Sequence, residues 1–268
     1  MRPGTAGMAR ATPSLRPFAR ERLPILIVLI VLAAACWAAL LSRSAAMARG
    51  AMGRGALTMG LGWAPFMAVW VVMMMAMMLP TAAPMILTFA AAQAERRRRQ
   101  RSGVPTWIFV AGYLLVWTAL GIAAYALALG AEHLARRVGW IAANGARIGA
   151  ASLIVAGLYQ LSPAKRICLA KCRTPWGFIL ESWRDGIGGA LRMGVVHGAY
   201  CAGCCWMLFV ILFPLGVMNV AAMALVTALI YAERSSTIGA RTCQVAAAVL
   251  ITYGALGIAV PGVLPSVM

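Results

Sequence analysis

Carboxylates are what this sequence has least of. Its 268 residues hold six Asp and Glu against 24 Lys and Arg. That leaves almost no material for paired-carboxylate acid–base chemistry or for an oxygen-lined Ca or Mg site. Charge of either sign is scarce, at 11% of residues, where soluble domains carry about 25%. So few charges cannot cover a chain that is 63% hydrophobic in water. Histidine is limited to His133 and His197. No phosphate-binding P-loop motif occurs, so any transport is passive, gradient-coupled or driven by a partner. Internal repeats, low-complexity tracts and a separate soluble domain are also missing.

What remains is an all-α, polytopic membrane chain. Mean hydropathy is +0.85 and the pI is about 11.1. In a soluble protein such a pI points to nucleic acid. Here the basic residues lie between long apolar runs, as the positive-inside rule produces, and no nucleic-acid partner is expected. A helix crosses the bilayer core in about 20 apolar residues. Seven candidate spans result: 23–41, 64–90, 106–130, 140–161, 190–213, 217–232 and 242–260, the sixth the shortest. With a cytoplasmic N-terminus, eighteen Lys and Arg fall inside and five outside (Arg43, Arg49, Arg54, Arg136, Arg137). Residues 1–22 are then a basic cytoplasmic segment and 23–268 a single transmembrane domain. The first apolar run is longer than a signal-peptide core, so it is expected to be retained. The segment 162–189, with Trp176 and Trp183, is expected along the cytoplasmic interface.

The stretch 193–206 reads MGVVHGAYCAGCCW. At helical periodicity Met193, His197, Cys201, Cys204 and Cys205 share a stripe about 120° wide. Thioether, imidazole and thiolate form a soft donor set, suited to Cu(I) first and Zn(II) second. Close helix packing through the intervening Gly and Ala is the competing reading, and thiol redox chemistry a third. Two thiolates on Cu(I) leave a negative charge, and Arg192 or Arg147 are candidates to balance it. Arg147 has snorkelling to the outer surface as its plain alternative.

The second span carries Met67, Met74, Met78 and Met85 within about 40° of one another, widened by Met73 and Met77. Such a row can pass Cu(I) along a helix or simply fill a core. Pro80 and Pro84 should kink or loosen this helix and free backbone carbonyls that a partner must satisfy. Cys168 and Cys172 lie in a basic loop. They are candidates for a cytoplasmic docking site for metal or a redox pair, with an ordinary loop role as the equal alternative, and the neighbouring cations should make them reactive if exposed. Cys36 and Cys243 are expected to be packing residues, and His133 a solvated one. Glu233 is expected to pair with Arg234 or Arg241. The turn PLGVMN (214–219) should close a hairpin.

With these motifs on the page, the chain resembles a bacterial family of predicted metal-binding integral membrane proteins, number 2182 in the domain-of-unknown-function series. The likeness covers roughly residues 63–237. It rests on VVMMMAMMLPTAAPM (71–85), YQLSPAKRICLAKCRTP (159–175), HGAYCAGCCW (197–206) and GVMN (216–219). It implies a multi-pass protein of the bacterial inner membrane that handles metal. His197, Cys201, Cys204, Cys205, Cys168, Cys172 and the methionine stripe are the residues it carries over. The expected function is binding and transfer of a soft metal without catalysis, in the bilayer, with a metallochaperone or partner membrane protein. A membrane thiol–disulfide oxidoreductase and a structural subunit are the alternatives.

Overall fold

The structure, a computed structural model, describes residues 16–48, 57–234 and 238–260. Eleven helices and no strand occur among them. They are α1 (Arg16–Ala48), α2 (Trp63–Arg98), α3 (Thr106–Arg137), α4 (Gly139–Ala143), α5 (Gly145–Gln160), α6 (Pro163–Arg173), α7 (Pro175–Ser182), α8 (Gly186–Val210), α9 (Leu212–Leu215), α10 (Val220–Arg234) and α11 (Gly239–Ala259). Most of the basic N-terminal segment lies outside the described residues, as do Arg49 and Arg54.

All seven apolar runs are helical, but five helices meet the length and hydropathy of a membrane crossing. The fourth run is divided at Asn144 into α4 and α5, and α10 has just 15 residues. At the division the Asn144 side-chain amide shares the Trp140 carbonyl, at 2.9 Å, with its own backbone N–H.

Two helices are central. Of their most apolar stretches, 67% is buried in α2 and 61% in Gly186–Leu215, against 17–22% in the other three crossing-length helices. The outer helices turn side chains such as Val28, Val31, Leu127 and Val249 outward, as a lipid-facing surface does. Helix α3 packs along both α2 and α8, α5 pairs with α11, α1 covers α2, and α6 lies on α8.

The α3–α8 contact is close because two glycines permit it. A Cβ on Gly194 would stand 2.1 Å from the Phe109 carbonyl oxygen, and one on Gly112 would stand 2.2 Å from that of Leu191. Small residues at such points let helix backbones meet in a membrane.

Helix α2 runs unbroken through Pro80 and Pro84. Pro80 has no N–H to offer the Ala76 carbonyl four residues back. The indole Nε1 of Trp37, on α1, donates to that oxygen at 3.1 Å. The expected orphan carbonyl exists, and the first helix satisfies it.

Residues 162–189 form a packed layer rather than an irregular loop. Ser162 caps α6 by accepting from the Lys165 N–H at 3.1 Å, with Pro163 in the first turn. One side of α6 and α7 is buried (Lys165, Leu169, Cys172, Phe178, Ile179), while Ile167, Trp176 and Leu180 remain exposed.

Candidate metal centre

Helical spacing places the five donors of α8 on one face, and that face is turned into the protein. Met193, His197, Cys201, Cys204 and Cys205 are each at most 1% exposed. The imidazole of His197 is held among rings. Phe109 and Tyr113 stack on it at centroid distances of 5.9 and 5.7 Å, and Phe178 meets it edge-on at 5.4 Å. Neither ring nitrogen has a hydrogen-bond partner, an unusual state for a buried polar group.

The three α8 cysteines are tied together. The thiols of Cys204 and Cys205 donate to the Cys201 carbonyl at 3.1 and 2.8 Å. Tyr113 Oη lies 3.1 Å from Cys201 Sγ. Cys172, from α6, lies close enough to interact with the side chain of Cys204. Thiols from two separate helices thus meet in sequence: Cys172, Cys204, then Cys205 and Cys201. Among the described residues, no three His, Cys, Asp or Glu side chains are already grouped to hold one ion.

The cation at this site is Arg234, where the sequence pointed to Arg192 or Arg147. Its Nη2 donates to Cys201 Sγ at 2.7 Å, and its Nη1 donates to the Thr81 carbonyl and hydroxyl at 2.7 and 3.0 Å. Arg192 is exposed. Arg147 reaches Asn144 at 2.9 Å on the surface, in keeping with snorkelling. Since Arg234 is committed here, the expected Glu233–Arg234 pair does not form. Glu233 Oε2 instead takes Lys165 Nζ at 2.7 Å, with both side chains at most 2% exposed. The short PLGVMN turn, opened by Gly216 at φ 92°, returns α10 along the bundle, and 18 residues later Arg234 meets α8. Sequence spacing alone could not show that return.

The methionine row divides. Met73, Met74, Met77, Met78 and Met85 are all buried. Met85 lines a cavity of about 130 Å³ with Thr81, Cys172, Arg173, His197 and Arg234. Met74, Met78 and Met193 sit in the surrounding core, outside that cavity. Met78 contacts the Thr81 hydroxyl at 4.0 Å. The cavity joins α2, α6, α8 and α10, so one of the methionines and the histidine do face a common space.

Cys168 and Cys172 differ from the expectation of reactive loop thiols. Cys168 is half-buried, with its sulfur against the Gly203 backbone, and burial raises its thiol pKa. The hydrogen bond with Cys204, then burial, raises that of Cys172 well above its ordinary value. The nearby cations are directed elsewhere: Lys171 pairs with Glu181, and Arg173 Nε donates to the Glu233 carbonyl at 2.8 Å. Cys36 and Cys243 pack as expected, partly and fully buried.

Residues 67–257 match the PpoB2 family, described as copper chaperones. The chain belongs to this family. No curated protein and no solved structure shows significant similarity to it. The copper-chaperone match covers the α8 donors, the methionine row from Met67 to Met85, Cys168 and Cys172, and it agrees with the metal-handling character expected from the motifs. Arg234, Tyr113, Thr81 and Lys165 complete the surroundings of these donors. In sequence, Arg234 was legible only as a partner for Glu233, and Tyr113 only as an aromatic residue on an apolar helix.

Proposed function

We propose that this copper-chaperone family member is a multi-pass protein of the bacterial inner membrane that binds Cu(I) within the bilayer and delivers it to an acceptor. His197, Cys201, Cys204 and Cys205 form the binding face. Met193 flanks it, Met74, Met78 and Met85 supply thioether donors along the approach, and Cys168 and Cys172 lie on the cytoplasmic side. Seven crossings with the N-terminus in the cytoplasm give the charge distribution described above, α5 and α10 being short crossings. The resemblance to predicted metal-binding integral membrane proteins supports the same reading.

The observation that carries it is the guanidinium of Arg234 on Cys201 Sγ, 2.7 Å away. A buried thiol is apolar enough to need no cation, whereas a thiolate bound to Cu(I) does. Two thiolates and Cu(I) sum to −1, and Arg234 restores neutrality. No carboxylate borders the α8 thiols, so hard divalent ions find little there. Binding expels thiol protons, so affinity rises with pH.

The test is copper stoichiometry, measured anaerobically on the full chain in detergent. Wild type should retain copper against a Cu(I)-selective chelator, and Cys201→Ser/Cys204→Ser/Cys205→Ser should retain less. Equal copper in both ends the proposal.

A further inference from the structure

We propose that the cavity between α2, α6, α8 and α10 is a second Cu(I) station, ligated by His197, Met85 and Cys172, from which the ion passes to Cys204. This rests on the copper reading and divides its ligands into two sites.

Three observations lead here. His197 is 1% exposed, borders the cavity, and has both nitrogens unpartnered. Its stacked rings keep the imidazole from turning out to solvent. A buried imidazole with no hydrogen bond lacks the partner that such groups almost always have. Second, Met85 and Cys172 border the same space from other helices. Imidazole, thioether and thiol from α8, α2 and α6 make a three-donor set of the kind Cu(I) accepts. Third, Cys172 borders the cavity and also interacts with the Cys204 side chain, so among the described residues it links the cavity to the α8 thiols from α6.

Charge decides which ion fits. Arg173 and Arg234 border the cavity too, which disfavours a free divalent cation. Cu(I) on one thiolate is neutral and meets no such barrier. For an anion most guanidinium donors are taken: Arg173 gives Nε and Nη2 to the Glu233 carbonyl and Arg234 gives its terminal nitrogens to Thr81 and Cys201, leaving Arg234 Nε without a partner.

The handover balances without electron transfer. On loading, the Cys172 S–H bond breaks, a Cu–S bond forms, and the proton leaves to solvent. On transfer, the Cu–S bond to Cys172 breaks as one to Cys204 forms. The Cys204 proton, directed at the Cys201 carbonyl in the copper-free protein, moves to the Cys172 sulfur that the ion has left.

X-ray absorption and copper counting on the full chain in detergent test this, with Cu(I) supplied from a chelator buffer. Wild type should hold two Cu(I), with nitrogen in the first shell. Met85→Leu, close in size, and His197→Gln should each hold one, with sulfur only. Cys201→Ser/Cys205→Ser should hold one and keep the nitrogen signal. If wild type holds one ion bound by sulfur alone, or if Met85→Leu and His197→Gln match wild type in count and nitrogen signal, the second station is refuted while copper binding stands. A wild type that holds no copper removes both.

Discussion

Glu233→Ala would leave the Lys165 ammonium buried without its counter-ion. Nζ and Oε2 are 2.7 Å apart, and the two side chains are 1% and 2% exposed. At that separation the attraction is about 6 kcal/mol for an effective dielectric constant near 20. Desolvation of the two ions cancels most of it, so the intact pair adds little net stability. Removing one member is different, because the survivor keeps its desolvation cost and loses its compensation. The expected loss is about 3–5 kcal/mol. Lys165→Met should fall in the same range, since it strands a carboxylate whose Oε1 already lacks a partner. Lys165→Met/Glu233→Leu should recover to within about 1 kcal/mol of wild type, as apolar replacements of buried pairs do. Equilibrium unfolding in detergent measures all three. Because the pair ties α6 to α10, hydrogen exchange in 163–173 should also accelerate in the single variants and not in the double. Single variants within about 1 kcal/mol of wild type, or a double variant no better than the worse single, would refute the reasoning.

Arg234→Met should weaken Cu(I) binding by about ten- to a hundredfold, the worth of one charge-assisted hydrogen bond, with Arg234→Lys intermediate; chelator competition reads it, and unchanged affinity contradicts the charge-balance argument. Gly194→Val places side-chain atoms where the Phe109 carbonyl lies and should cost about 1–3 kcal/mol or more, seen as a lowered Tm. Burial raises the thiol pKa of Cys168, so the thiolate fraction at pH 7 is below that of a free cysteine. Maleimide labelling of Cys168 should therefore be slow at pH 7 and accelerate steadily with pH; a rate equal to that of a model thiol at pH 7 runs against it.

Much of the architecture was written in composition and spacing. Apolar runs gave helices because nothing else satisfies the backbone in lipid. The 3- and 4-residue intervals from Met193 to Cys205 gave a single buried face because 3.6 residues complete a turn. Pro80 announced a carbonyl in need of a donor, and Trp37 supplies one. Contacts between distant segments were not legible. Arg234 reaches Cys201 across 33 residues and Lys165 reaches Glu233 across 68. No local pattern encodes which of several arginines a return turn delivers to a sulfur. The partly apolar segment 162–189 was expected along an interface, but its burial of Lys165 was not legible, because the side of α6 that carries it depends on Glu233 from another helix.

At Gly112 and Gly194 two backbones touch with no side chain between them. Helices locked at that distance can neither roll nor slip past each other, so α3 and α8 behave as one stiff beam. The imidazole and the α8 sulfurs are bolted to that beam. Cys172 is carried instead by α6, which rests on α8 and is fastened to α10 by the Lys165–Glu233 clasp, so its place relative to the beam depends on that clasp and not on the glycine contact.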